Sequence, residues 1–243
     1  MRDIEIRTKD GTARAALVPP SSPGRSGAGV ILYMDAFGPR ASLYGMAERL
    51  AGHGYTVLVP DLFYRFGAYG PLDAKTAFAN EVTGPLIRRM LAETTQEMTI
   101  GDSGAFVEAL SENGVTGPVG AVGYCMGGAR ALNAAAAYPE RIAAAASFHG
   151  GNLASDAPDS PANRAGSIKG RVYVGSAGVD NSFPPEQSAR LAEALRTAGV
   201  DHVIENYADM QHGWCVPDHR VYDEKGAERH WKRLTEFFAE TLG

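Results

Sequence analysis

The chain has 243 residues, 44% of them hydrophobic and 21% charged. That composition excludes a disordered polypeptide and suits one large α/β domain. Its 23 basic residues face 28 acidic ones, a formal charge of −5 with no basic stripe, so neither nucleic acid nor an anionic membrane is an expected partner.

In chain order, "IEIRT" and "ARAALVP" predict a β-hairpin turning at Lys9, Asp10 and Gly11. "PPSSPGRSG" (19–27) is the most loop-like stretch. "GVILYMD" (29–35) has the length and unbroken apolar character of a buried parallel strand. The run 42–54 predicts an amphipathic helix ending at glycine, and "YTVLVPDLF" a second buried strand. Residues 64–95 read as irregular and carry several aromatics together with Arg88 and Arg89, a candidate lid over a site. "IGDSGAFVEALSENG" is helical. From "GPVGAVGY" onward strands and helices alternate to a closing helix, "GAERHWKRLTEFFAETL". The expected fold class is α/β, a mostly parallel central sheet with helices on both faces.

"GYCMGG" (123–128) stands where the "GPVGAVGY" strand meets a small-residue helix. G-x-nucleophile-x-G in that setting is the pattern of a nucleophile elbow. The turn is tight and its central residue strained, so Gly123 and Gly127 leave room that side chains would fill. The turn aims a helix N-terminus at Cys125, which favours a thiolate and offers backbone N–H groups to an anion. A nucleophile needs a base and a group to orient it. Asp180 follows the apolar strand "RVYVGSAGV", although it could equally cap the helix that starts near Pro184. His212, in "MQHGWC", follows the next strand and precedes the last helix. His53, His202, His219 and His230 suit the part less well; His149, ending the strand "SFHG", is a lesser candidate to face the site. The oxyanion hole is expected from the backbone N–H groups of Met126 and Ala36. No cluster with metal-ligand spacing appears, and neither metal nor cofactor is expected.

These residues resemble the dienelactone hydrolase family of the α/β-hydrolase fold, on "MDAFGPR", "PDLF", "GYCMGGARA", "GVDNSFP" and "MQHGW". The resemblance spans most of the chain and implies one α/β-hydrolase domain over 1–243, with residues 64–95 as the lid. It implies a Cys125–His212–Asp180 triad and a carboxylate, Asp35, beside the resting thiol, where the family has the longer glutamate. Family members that act on dienelactone hold its carboxylate with arginines, one of them four residues after the catalytic histidine. Here that position is Val216, and Arg65, Arg88 and Arg89 are the candidates for the other. Phe37, Tyr64, Arg65 and Trp214 are candidate substrate contacts.

The expected activity is cleavage of a small-molecule ester or lactone by a cofactor-free cysteine hydrolase through a thioester. A hydrolase-fold ligand-binding protein with little or no turnover is the alternative. A class I glutamine amidotransferase fits less well, because its histidine is followed two residues later by glutamate and His212 by Gly213 and Trp214. A thiol oxidoreductase lacks its C-x-x-C, although a Cys125–Cys215 disulfide under oxidation stays open. No apolar run approaches the ~18 residues of a membrane span, and "MRDIEIRTKDG" has no apolar signal-peptide core. The expected location is cytoplasmic, where both cysteines would be thiols.

Overall fold

The computed structural model describes residues 1–22 and 27–243, so part of the loop-like stretch 19–27 lies outside the described residues. The predicted hairpin is β1 (Arg2–Thr8) and β2 (Gly11–Val18), paired antiparallel. Then come β3 (Gly29–Tyr33), α1 (Ala41–Gly52), β4 (Thr56–Pro60), α2 (Thr83–Glu93) and α3 (Gln96–Glu112). β5 (Val119–Tyr124), α4 (Met126–Ala137), β6 (Ile142–Phe148), β7 (Arg171–Val179), α5 (Pro185–Thr197), β8 (His202–Gln211) and α6 (Glu224–Leu242) complete the chain. The eight strands form one sheet in the order β1-β2-β4-β3-β5-β6-β7-β8. β2 pairs antiparallel to β4, and every pair from β4–β3 to β7–β8 is parallel.

The central strands read as unbroken apolar runs because both their faces are covered: every residue of β3 and β5 is buried. Side-chain parity along β5 places α4 and α6 on opposite faces. A Cβ on Gly120 would meet Phe238 and Leu242 of α6, whereas one on Gly123 would fall on the backbone of Gly127 in α4. α1 joins α6 through Arg49, which pairs with Glu228 and lies over the Trp231 ring. α3 joins α4 through the Asn133–Gln96 side-chain hydrogen bond.

Two boundaries differ from the sequence reading, and both bear on the site. Residues 64–95, read as irregular, contain α2. Its buried face is Gly84, Ile87 and Met90, spaced by three, and Asn80 accepts from the N–H groups of Val82 and Thr83 at its start. The second difference is at β8, which runs past the predicted end at Tyr207 to Gln211. It re-registers beside β7 between Ala177 and Val179, so that Val179 pairs with Gln211. The next residues in the two strands are Asp180 and His212. A local irregularity in the ladder therefore delivers this pair side by side at one edge.

Candidate active site

Four strands present the candidate residues at their C-terminal ends, where parallel α/β sheets place their ligands. Cys125 follows β5 and has φ 55° and ψ −120°, a left-handed conformation that a non-glycine residue rarely holds. The glycines around it are needed for contact rather than for flexibility. A Cβ on Gly127 would come within 2.5 and 2.6 Å of the carbonyl oxygens of Tyr33 and Met34. α4 thus packs directly on β3, and its first residue, Met126, follows the partly exposed Cys125. The two cysteines differ: Cys215 is 1% exposed, and burial pushes its thiol pKa well up. Both are free thiols.

His212 and Asp180 meet at 2.7 Å between Nδ1 and Oδ2. Asp180 does not cap α5, whose N-cap is Pro184 with no side-chain bond. Its Oδ1 accepts instead from the backbone N–H of Ser182 at 2.8 Å and from the Ser182 hydroxyl at 2.6 Å. That hydroxyl is also 3.3 Å from His212 Nδ1. Burial would raise the Asp180 pKa, but His212 and Ser182 outweigh it and hold the carboxyl below its ordinary value. Cys125 lines the same cavity as the imidazole. Burial alone would lower the His212 pKa; Cys125 and Asp180 overcome that and push it up to about 10. Asp180, itself held by Ser182, orients the imidazole.

Asp35, directly after the β3 segment, is completely buried. Its carboxylate accepts from Arg40 at 2.7 and 2.9 Å, from the Phe37 N–H at 3.0 Å and bonds His219 Nε2 at 2.9 Å. Arg40 also binds Asp218, with contacts of 2.6 and 2.8 Å. Burial would raise the Asp35 pKa, and His219 and Arg40 reverse it to below the ordinary value. The oxygens that the sequence reading directs at the thiol are engaged by these donors.

A cavity of about 510 Å³ opens over Cys125, Asp180 and His212. Phe37, Lys75, Phe78, Ser182, His219 and Arg220 also line it. Of the candidate substrate contacts, only Phe37 does. Tyr64 bonds Thr8 and Asp102, and Arg65 is held by Asp10 and Asp102. Trp214 is fully buried against Tyr207 and His149, and Val216 is fully buried too. The reading missed His219, Lys75, Phe78 and Arg220. "HGWCVPDHR" places His219 seven residues past His212 with no periodic signal, and only the turns after β8 bring it back to the cavity.

A family profile described as "Dienelactone hydrolase family" matches residues 13–242. The chain belongs to the dienelactone hydrolase family. Similar family relatives include the carboxymethylenebutenolidase of Rhodococcus opacus, 29% identical over an alignment of 247 positions that covers 98% of this chain and 91% of that protein. A provisionally named carboxymethylenebutenolidase of Escherichia coli O157:H7 is 29% identical over 220 residues, 88% of this chain and 77% of that protein. Among solved structures, a provisionally named dienelactone hydrolase from Klebsiella pneumoniae subsp. pneumoniae MGH 78578 superposes with a TM-score of 0.85 at 21% identity, covering 98% of this chain and 97% of that one. The fold is thus the α/β-hydrolase fold, and this dienelactone hydrolase family member is a hydrolase. No helix among its described residues is long and apolar enough to cross a membrane.

Proposed function

We propose that this chain is a cofactor-free cysteine hydrolase of carboxylic esters or lactones, of the carboxymethylenebutenolidase type, and that it works in the cytoplasm with both thiols reduced. The observation that carries the reading is the strained Cys125 at the start of α4, in one cavity with an imidazole that Asp180 holds from behind. The thiolate attacks the carbonyl carbon, and the oxyanion forms against the N–H groups of Ala36 and Met126. Each such donor contributes on the order of 3 kcal/mol in comparable sites. The C–O bond breaks, the leaving oxygen takes the proton from the His212 imidazolium, and a thioester remains on Cys125. His212, now neutral, takes a proton from water as it attacks the thioester, which releases the acid and restores the thiol pair.

Residues 74–79, within the candidate lid, supply Ala74, Lys75, Phe78 and Ala79 to the cavity wall, and Phe78 stacks edge-on with Phe37 at 5.3 Å. This supports a lid function for that segment in a single domain. Lys75 and Arg220 are cavity cations, while Val216 is buried away from it. Substrate anions would therefore meet Lys75 and Arg220.

An ester and lactone panel, run on wild type and Cys125→Ala together, tests the reading. Wild type should release about one equivalent of alcohol per site in a burst with an activated ester, and Cys125→Ala should lose several orders of magnitude in turnover while keeping its fold. Stoichiometric binding with no burst would favour the ligand-binding alternative. Turnover that survives in Cys125→Ala and disappears in Cys215→Ala would reassign the nucleophile.

A further inference from the structure

Cys125 has a neighbour of the same kind. Among the described residues, the non-glycine positions with positive φ are Cys125 (55°), His149 (40°) and Asn152 (56°). The first two are side by side: Tyr124 pairs with Phe148 across β5 and β6, and the next residue in each strand is the strained one. His149 is completely buried, and its own N–H is tied to the Gly175 carbonyl at 2.9 Å. Its Nδ1 is 3.1 Å from the backbone nitrogen of Cys125. An amide nitrogen can only donate, so Nδ1 must present its lone pair and the ring proton must be on Nε2. The Cys125 N–H is shared with the Phe148 carbonyl at 3.2 Å, which makes a three-centre bond onto two consecutive residues of one strand end. The ring of His149 stands edge-to-face to His212 at 4.9 Å and to Trp214 at 5.4 Å, while Nε2 has no hydrogen-bond partner among the described residues.

We propose that His149 is a positioning residue: its neutral imidazole holds the nucleophile's backbone in the strained conformation through the Nδ1 lone pair, and its ring backs the catalytic His212. The role rests on the reading of Cys125 as nucleophile. Strain of this kind persists only where the surroundings over-determine it, and the lone pair supplies a constraint that the sheet ladder alone does not. Protonating Nδ1 would set one N–H against another and release the elbow. The groups facing the ring keep it neutral as well. Burial lowers its pKa furthest, and His212, His219 and His230 lower it further; Tyr124 and Trp214 add only ring packing.

Three substitutions in the full chain separate the lone pair from bulk and from strain. Asparagine keeps an acceptor near the Nδ1 position and tolerates positive φ; phenylalanine keeps the ring without the acceptor; glycine relieves φ without the acceptor. With an activated ester, His149→Asn should stay within about threefold of wild type. His149→Phe and His149→Gly should each lose about tenfold or more, in kcat rather than KM, as expected for a misaligned nucleophile. If phenylalanine or glycine matches or exceeds asparagine, the lone pair is not what matters and the proposal is overturned. A measurement on wild type stands even if a variant fails to fold. Nitrogen-15 spectra of histidine-labelled protein should show His149 as the Nε2–H tautomer, unchanged from about pH 5 to 9. The opposite tautomer, or titration in that range, overturns the proposal. Cys125→Ala assayed alongside keeps the failures apart. Turnover in that variant sinks the functional reading, whereas an inactive Cys125→Ala with the variant order reversed sinks only the role of His149.

Discussion

Two histidine–aspartate pairs meet at one cavity, which both histidines line, and they are built differently. Asp180 meets His212, and its remaining contacts are the N–H and hydroxyl of Ser182, two residues along the chain. Asp35 meets His219, but also a bidentate guanidinium and a backbone N–H, and that guanidinium binds a second carboxylate. Among the described residues the first carboxylate meets no cation other than the imidazole, which shares the cavity with Cys125. The second has its charge spent on Arg40, which without it would keep, among the described residues, only Asp218 as a charged partner. A carboxylate behind a histidine therefore does not by itself make a catalytic pair; what else the carboxylate binds decides what it can do for the ring.

The largest expected break between the two is in rate. Asp180→Asn should lower kcat by roughly 10³–10⁴, as loss of the orienting acid does in comparable triads, while Asp35→Asn should lower it by less than about tenfold. Steady-state kinetics on one ester checks both, and equal losses would erase the distinction. The same Asp180→Asn variant should move the basic limb of the pH–rate profile to lower pH. Asp180 is one of the groups raising His212 to about 10, so removing it lets burial pull the value down.

Stability should show the reverse ranking. Asp35→Asn should cost about 2 kcal/mol in denaturant unfolding, because Arg40, 13% exposed at its side chain, loses a fully buried charged partner and keeps Asp218. The pH dependence has a definite sign. The folded-state pKa of Asp35 lies below its unfolded value, so its contribution is present above about pH 4 and is lost as pH falls through the folded value. Asp35→Asn should therefore flatten the acid limb of a stability–pH curve, measured by urea titrations below pH 5.

A smaller effect sharpens the assignment of Asp35. With its charge paired to Arg40, Asp35→Asn should change the rate of Cys125 alkylation by iodoacetamide less than about threefold at neutral pH. A large acceleration would mean that the carboxylate restrains the thiol after all. The smallest effect belongs to the cavity cations. Lys75→Ala and Arg220→Ala should each raise KM for a carboxylate-bearing lactone a few-fold and leave its methyl ester unchanged, since exposed charges act weakly. A clear preference of both variants for the free acid would place the anion's partner elsewhere.

Much of the fold was legible because a parallel sheet demands apolar strands and amphipathic helices in alternation, and those periods are local. The elbow was legible because its glycine pattern falls within six residues of sequence, although the carbonyls of Tyr33 and Met34 that a Cβ on Gly127 would strike come from the far-off end of β3. Asp180 and His212 were legible from their places after strands. Helix α2 was missed because its buried face is only three residues wide and is broken by arginines.

The sequence by itself thus determined the architecture, the glycine-flanked turn at Cys125 and the strand ends that carry Asp180 and His212. Only the tertiary structure decided what each buried charge is bound to, because pairing partners such as Arg40 and Asp218 are 178 residues apart and carry no shared pattern. It alone moved Tyr64 and Arg65 into a network with Thr8, Asp10 and Asp102 and brought His219 to the cavity. It also set His149 against the backbone of Cys125, through a parallel register that pairs residues 24 apart. Local periodicity encodes which face of an element is buried; it does not encode which of many buried polar groups will find one another once the faces close.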